Sequence, residues 1–249
     1  MEKENIKLTE HFGTSLAQLL SEKICETEKN FPANKFVGII QQNYFDKTLK
    51  QRVELFADAL RVCLPDDYNQ SICILTNIMG DKNPKETGMF KEFYWLMPIG
   101  KFIEKYGLEH LGTSMKAIEE LTQRNTGEYA IRPYIRKYPT QTLQQMKAWA
   151  KSENFHLRRL ASEGLRPKLP WATKLELFID NPQPVFDILN ILKEEQIKFV
   201  MKSVANHLTD YIKVNPKADF AFIKDWEKSD NKNTQWMIQH ATRKLKQPP

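Results

Sequence analysis

Glycine is scarce in this sequence, which also lacks cysteine pairs, a signal segment and long apolar runs. There are 9 glycines in 249 residues, and they lie mostly between predicted elements. The 3 cysteines form no CxxC pair, and their odd number argues against the disulfide framework of a secreted protein. The opening MEKENIKLTEHF is charged and has no apolar core, so we expect no signal peptide. No run approaches the ~20 apolar residues of a membrane span. We therefore expect a soluble, cytoplasmic protein with no membrane partner.

The short motifs of nucleotide, metal and acyl-transfer chemistry are missing as well. The sequence has no Walker A or GxGxxG loop and no nucleophile elbow. The histidines show neither HExxH nor another paired ligand spacing. They are His11, His110, His156, His207 and His240. We predict that the protein uses no metal ion and no cofactor.

The overall composition is that of an ordinary globular protein with an excess of basic residues. Hydrophobic residues make up 41% of the chain and charged residues 27%. The formal net charge is +6 and the isoelectric point is about 9.0. This balance permits an acidic partner such as nucleic acid, but many basic proteins bind none.

Helical periodicity runs through almost the whole chain, and no convincing alternating strand pattern interrupts it. The predicted helices form short antiparallel couples of about 35 to 45 residues, which is close to the length of a HEAT-like repeat. We therefore predict an all-α HEAT-like solenoid that is curved and has a concave face. It would form one domain over residues 1–249, of which residues 1–30 are a helix and leader with little character.

Prolines set several of the expected helix boundaries. Pro65 is expected at the first position of a helix. Another helix is expected to start near Thr126 and to kink at Pro133, whose missing amide cannot bond to the carbonyl of Tyr129. A further helix is expected over residues 171–179.

The stretch HLRRLASEGLRPKLPW, residues 156–171, has the most unusual pattern. Read as a helix from residue 157 to about 166, it has an apolar stripe and an opposite polar face. The polar face carries Arg159, Ser162, Glu163 and Arg166. The helix ends before Pro167, and Trp171 follows on a proline-bounded turn. A carboxylate between two guanidinium groups beside an indole suits chemistry on a phosphodiester-bearing substrate. The alternative is a solvated helix face with an intrahelical ion pair.

Two further acids lie in polar settings, and each has a structural alternative. Glu128 is expected in the first turn of a helix capped by Thr126, where a glutamate complements the helix dipole without any other role. Asp210 belongs to a polar stripe with Ser203 and Asn206, residues that are poorer helix formers than the Glu and Lys of a typical solvated face. Short polar side chains of this kind allow another chain to approach closely, so Asn206 is a candidate contact for a partner such as nucleic acid.

Basic residues near residue 160 and near the end of the chain are candidate phosphate contacts. Arg158 and Lys168 add to the two arginines of the polar face, and Arg243 lies in a terminal run without an acid. Such contacts give affinity with strong salt dependence and no sequence reading. The alternative for each single lysine is an ordinary surface residue that keeps the protein soluble and contacts no phosphate.

Three segments resemble one known family. TGEYAIRPYI, RRLASEGLRPKLPWA and SVANHLTD are similar to the AlkC branch of the AlkC/AlkD DNA alkylation repair glycosylases. The resemblance spans most of the chain from about residue 30. Many AlkC relatives carry a C-terminal immunoglobulin-like domain, whereas this chain ends at Pro249 after its last predicted helix. We therefore expect a short form without that domain.

The resemblance implies a monofunctional glycosylase that removes cationic alkylated bases from double-stranded DNA as a monomer. The implied bases include N3-methyladenine, N3-methylcytosine and N1-methyladenine. The implied catalytic residues are Glu128, Glu163, Trp171 and Asp210. The implied DNA contacts are Tyr129, Arg159, Arg166 and Arg243, to which the basic set adds Lys168. The alternatives are a non-catalytic module that binds damaged DNA and a HEAT-type scaffold that binds proteins.

Overall fold

A computed structural model describes residues 7–88 and 90–245 of the chain. Over these residues the regular structure is helical and no strand occurs, so the all-α prediction is confirmed. The first residues of the predicted leader, 1–6, and the last four residues lie outside the described part. None of the described helices is long and apolar enough to cross a membrane.

The described residues divide into two compact units. Unit 1 comprises residues 7–83 and 90–125, and unit 2 comprises residues 84–88 and 126–245. All of the candidate site residues named above belong to unit 2.

Unit 1 is built from helices that pack on neighbours in sequence and on more distant helices. They are α1 (Thr14–Thr27), α2 (Ala33–Asn43), α3 (Leu49–Cys63), α4 (Tyr68–Asn77), α5 (Phe90–Phe93), α6 (Met97–Tyr106) and α7 (Leu111–Thr122), with 3-10 turns at Leu8–His11 and Tyr94–Leu96. Helix α1 packs on its neighbour α2, and α3 packs on the more distant α6. Pro65 does not open a helix, contrary to the prediction. The carboxylate of Asp67 accepts a hydrogen bond from the amide of Gln70 at 2.8 Å, and this cap starts α4 at Tyr68.

Unit 2 is organised around its longest helix, α12. Its helices are α8 (Arg132–Lys137), α9 (Pro139–Trp149), α10 (Phe155–Glu163), α11 (Gln183–Ile191), α12 (Lys198–Val214), α13 (Pro216–Trp226) and α14 (Lys232–Thr242). Helix α12 packs against α10, α13 and α14. Its buried stripe includes Val200, Val204 and Leu208, each with no exposed surface. The i, i+4 spacing of these residues lets one helix hold several partners in place.

The segment before α8 differs from the prediction. Residues 127–131 form turns, closed by a hydrogen bond from the amide of Ile131 to the carbonyl of Gly127 at 3.0 Å, and the helix begins only at Arg132. Pro133 therefore lies in the first turn of α8, where its missing amide costs nothing, and it kinks no helix. Thr126 is not the cap of this helix, and Glu128 lies in the turns that precede it.

The segment after α10 also differs from the prediction. Helix α10 ends at Glu163, and the expected helix over residues 171–179 is absent, because those residues form turns and irregular structure. The amide of Leu175 donates to the carbonyl of Pro167 at 3.0 Å, which closes a loop that we call the Trp171 loop, residues 164–175. Carbonyls of this loop are bonded to distant side chains, so they are not available for a helical ladder.

Candidate active site

Three acids that are far apart in sequence meet in unit 2 through two arginines. Glu128 comes from the turns before α8, Glu163 is the last residue of α10, and Asp210 lies in α12. Arg166 donates from Nη1 to Oε1 of Glu163 at 2.7 Å and from Nε to Oδ2 of Asp210 at 2.8 Å. All three carboxyl groups are buried, with exposed fractions of 4 to 6%.

Arg159 joins Glu128 to the same cluster. Its guanidinium lies 3.4 Å from Oε2 of Glu128 and 3.7 Å from Oε1 of Glu163. The group also lies over the ring of Phe199, 4.7 Å from the ring centroid. A guanidinium held by two carboxylates and an aromatic face is fixed in position, so Arg159 and Arg166 order the acids.

The environment separates the three acids by their pKa values. Burial opposes ionisation of Glu163, but Arg159, Arg166 and the hydroxyl of Ser203 outweigh it and hold its pKa below the ordinary value. Burial raises the pKa of Glu128, and Arg159 offsets this only in part. Burial likewise raises the pKa of Asp210 despite its bond to Arg166. Glu163 is thus the acid most firmly held as an anion, and acids tuned apart in this way are typical of acid–base sites.

The polar stripe of α12 faces the cluster of acids, so it is not a solvated surface only. Ser203 donates its hydroxyl to Oε2 of Glu163 at 2.6 Å and is 3% exposed. Asn206 is half-buried on the same helix. The polar face of α10 is buried as well, since Ser162 has no exposed surface and Glu163 is 6% exposed. The reading of a solvated helix face is therefore wrong for α10.

Trp171 lies on the Trp171 loop in an unusual backbone conformation. Its φ is 64°, the left-handed region that residues other than glycine rarely adopt, and its side chain is 69% exposed. Strained residues of this kind persist only where the surroundings impose them, and they are frequent at functional sites. Tyr129 contributes one such constraint, because its hydroxyl donates to the carbonyl of Pro170 at 3.2 Å.

Arg132 helps to shape the candidate site, and the sequence patterns did not identify it. Its buried guanidinium donates to the carbonyls of Gly164 at 3.2 Å, Arg166 at 2.9 Å and Thr173 at 2.6 Å. Arg136, one turn later, donates to Oγ1 of Thr173 at 2.8 Å and to the carbonyl of Lys174 at 3.0 Å. These bonds fasten both ends of the Trp171 loop to α8. The only sequence signal was the IRPYIR spacing, which places the two arginines on one side of a helix.

The remaining candidates are not joined to the acids by the described contacts. Lys168 is exposed on the Trp171 loop, and Arg243 is exposed directly after α14. Arg158 is engaged elsewhere, because it forms a two-point ion pair with Glu195 at 2.6 and 3.1 Å. Over the described ranges, no group of three or more metal-binding side chains is placed to hold an ion.

Comparison with known proteins gives this site its context. The model of the family described as DNA alkylation repair enzyme matches residues 115–245, which is more than half of the chain and includes every candidate site residue. The chain belongs to the DNA alkylation repair enzyme family. The resemblance to that family seen in the sequence is therefore confirmed.

Two individual relatives support the same conclusion. YhaZ of Bacillus subtilis (strain 168), described as an uncharacterized protein, is 32% identical over 239 residues, which cover 96% of this chain and 64% of YhaZ. The structure of Pseudomonas fluorescens alkylpurine DNA glycosylase AlkC, bound to DNA containing an abasic site analog, matches with a TM-score of 0.86 and 29% identity. That match covers 96% of this chain and 65% of AlkC, so the chain spans just under two thirds of either relative.

Proposed function

We propose that this protein is a monofunctional DNA glycosylase that hydrolyses the N-glycosidic bond of cationic alkylated bases in duplex DNA. The observation that carries the proposal is the cluster of buried carboxyl groups of Glu128, Glu163 and Asp210, held together by Arg159 and Arg166. Family membership and the likeness to AlkC bound to DNA with an abasic site analog support it, since an abasic site is what base removal leaves behind.

The chemistry of the proposed substrates fits acids that need not donate a proton. An N3-methylated adenine or cytosine, or an N1-methylated adenine, already carries a positive charge, so the base leaves without protonation. The enzyme must then stabilise an oxocarbenium-like sugar and position a water molecule for attack on it. Buried carboxylates supply negative charge at that point, where few water molecules screen it.

We assign Glu163 the role of the fixed anion. Its Oε1 accepts from Arg166 and its Oε2 accepts from Ser203, at 2.7 and 2.6 Å, and its pKa is held low. A carboxylate with both oxygens bonded and a low pKa is a poor proton acceptor, but it is a stable source of negative potential for the developing sugar cation.

Asp210 is the better candidate for the general base. Arg166 occupies its Oδ2 at 2.8 Å, whereas the described contacts give its Oδ1 no donor. Its pKa is raised by burial, which strengthens it as a proton acceptor. The residue pattern alone favours Glu163 for this role without separating it from Asp210, and the contacts of the two carboxylates favour Asp210.

Trp171 and the arginines complete the proposed site. The exposed indole on the strained turn is available to contact the cationic base, and a cation–π contact of this kind contributes on the order of 2 kcal/mol when desolvated. Arg159 and Arg166 serve mainly to order the acids, because both guanidinium groups are engaged with them. We place Tyr129 and Lys168 along the path of the DNA backbone beside the Trp171 loop.

The deciding experiment measures release of free base. Duplexes that carry N3-methyladenine or N3-methylcytosine are incubated with the wild type and with Glu163→Gln, and the released base is separated by chromatography. We expect release by the wild type and a loss of at least about two orders of magnitude in the variant, with duplex binding retained.

Glu195→Gln is the matched control, because it weakens a partly buried Arg–Glu pair of unit 2, at 2.6 Å, outside the proposed site. It should release base at the wild-type rate even if its melting temperature falls. Binding of damaged duplex without any release by the wild type would instead identify the second candidate, a non-catalytic damage-binding module.

A further inference from the structure

A row of polar side chains on α12, two of them lysines, lies outside the acid cluster and has no role in the chemistry described above. Lys198, Lys202 and Asn206 follow one another at four-residue intervals, so they lie along one side of the helix, and both lysines are exposed. With a rise of 1.5 Å per residue, Lys202 lies about 12 Å and Lys198 about 18 Å along the helix axis from Asp210. The row therefore leads away from the acid cluster along a single rigid element.

Helix α14, which packs against α12, contributes an aromatic platform and another cation to this row. The Nζ atom of Lys198 lies over the indole of Trp236, 2.9 Å from the ring centroid. Trp236 in turn stacks on His240, with centroids 4.8 Å apart and planes at 27°. Arg243 follows the helix, and its guanidinium donates to the carbonyl of His240. The group formed by Lys198, Lys202, Trp236, His240 and Arg243 is called the α12–α14 cation cluster.

The cation cluster lacks a balancing acid. The described contacts give no carboxylate partner to Lys198, Lys202 or Arg243. After burial, the groups that lower the pKa of His240 are Arg243, Lys198 and Lys202, all of them cations. The pKa of Lys198 is lowered by burial and by Lys202. Cations at close range repel one another, and an anion placed among them relieves that repulsion.

We infer that the α12–α14 cation cluster binds the phosphodiester backbone of duplex DNA on one side of the damaged nucleotide. This inference rests on the proposed function, because it takes the acid cluster to mark the position of the reacting sugar. A distance of about 18 Å is roughly half of the 34–36 Å turn of B-DNA, so one strand reaches from the acid cluster to Lys198 within about half a turn.

The side chains of this cluster are suited to contact the phosphates of DNA and not its bases. Lysine ammonium groups are compact point charges that contact phosphate without sequence reading. Trp236 is half-buried and already contacts Lys198 and His240, so it holds cations in place instead of offering an open surface for base stacking. We expect the cluster to increase the affinity for duplex DNA and to fix the position of the protein along it, whatever the base sequence and whether or not a base is damaged.

The test compares the salt dependence of binding to an undamaged duplex between the wild type and the double variant Lys198→Gln with Lys202→Gln. The slope of log K against log salt is negative, and its magnitude falls by about 0.9 for each phosphate contact that is lost. With two lysines replaced, we expect the magnitude of the slope to be smaller by about 1.8. Base release from a methylated duplex should require a higher protein concentration to reach half of its maximal rate, because the variant binds the duplex more weakly. Both side chains are exposed, so the melting temperature should remain that of the wild type.

Two further variants make the result specific. Lys217→Gln with Lys224→Gln removes the same charge from two exposed positions of α13, and it should leave the slope near that of the wild type. Lys198→Arg with Lys202→Arg should restore the slope, because arginine also contacts phosphate. An unchanged slope in the glutamine variant, or an equal decrease in the α13 control, would overturn the inference.

The readouts keep this inference separate from the proposed function. If the wild type releases no base, the proposed function fails, yet the slope on undamaged duplex still decides whether the cluster contacts DNA phosphates. If base is released and the slope does not change, only the inference about the cluster fails.

Discussion

At the scale of single residues, Asp210 and Glu128 are two buried acids whose pKa values are both raised, so either could act as a proton acceptor. They differ in their partners: the carboxylate of Asp210 is held by Arg166 at 2.8 Å, and that of Glu128 by Arg159 at 3.4 Å. A general base must be ionised, so base release should decline as the pH falls through the raised pKa of the residue that serves.

We therefore predict an acid limb in the pH profile of single-turnover release, centred above the ordinary carboxyl range of aspartate. Asp210→Asn should slow release by about two to four orders of magnitude. Glu128→Gln should leave the acid limb at the same pH, although its rate will be lower because Arg159 loses a carboxylate partner. Disappearance of the limb in Glu128→Gln, with the limb retained in Asp210→Asn, would transfer the role of base to Glu128.

At the scale of elements, Arg132 connects α8 to the Trp171 loop through three carbonyls. A lysine at this position keeps the charge, but its single ammonium cannot reproduce the planar fork that reaches the carbonyls of Gly164 and Thr173 together. Arg132→Lys should leave the loop less precisely placed, and with it Trp171. Misplacement by about 1 Å can cost on the order of 100-fold in rate, so we expect base release to fall by about 10- to 100-fold.

The control for Arg132 is Arg158→Lys. Arg158 also donates to two backbone carbonyls, those of Ser152 and Glu153, at 2.9 and 2.8 Å, and it lies outside the acid cluster. Both substitutions should lower the melting temperature to a similar extent, and only Arg132→Lys should slow base release with little change in duplex affinity. Equal rates in the two variants would reduce Arg132 to a residue that stabilises the fold.

The sequence predicts helices well where local signals agree, and it fails where distant contacts decide. Helix α10 is an example, because its observed bounds, Phe155–Glu163, differ by only a few residues from the predicted 157 to about 166. Residues 171–179 were predicted as a helix, because nothing local reveals that Arg132, 41 residues before Thr173, takes the carbonyl of that residue. Glu128 was placed in a helix for a similar reason, since its partner Arg159 is 31 residues away.

The candidate site shows the same division between residue types and contacts. The residue patterns and the resemblance to the family both drew attention to the three acids, but their meeting around Arg159 and Arg166 could not be derived from their separate helical patterns. The burial of the polar face of α10 depends on α12, whose Ser203 lies 40 residues further along the chain. Roles that depend on such contacts, such as the division between Glu163 and Asp210, become arguable only in three dimensions.

At the scale of the whole molecule, the net charge is +6, and several acids of unit 2 do not reach the surface. Glu128, Glu163 and Asp210 are buried, whereas Lys168 and Lys202 of the same unit are exposed. A polyanion that contacts these lysines meets positive charge at the surface. The acids remain in a less polar interior, where their fields are screened least.

Asp219 belongs to these buried acids but not to the candidate site, and its burial links folding to pH. It lies in the first turn of α13 with no exposed surface, and among the described residues neither of its carboxyl oxygens has a hydrogen-bond partner. Burial raises its pKa to about 8 from 3.8. The folded state therefore binds a proton that the unfolded chain has released between pH 4 and pH 8. Because stability falls with pH wherever the folded state binds more protons, this group destabilises the fold progressively as the pH rises through that window.

Asp219→Asn should flatten this dependence, because the amide resembles the protonated acid in shape and carries no charge. We expect the urea midpoint of the wild type to fall between pH 5.5 and pH 8.5, and that of Asp219→Asn to change less and to exceed the wild type at pH 8.5. Asp230→Asn, at an exposed position, should follow the wild type. Parallel curves for the wild type and Asp219→Asn would mean that Asp219 is ionised in the folded protein. Its carboxylate would then need a cationic or hydrogen-bonding partner, because a buried and unpartnered charge is too costly to persist.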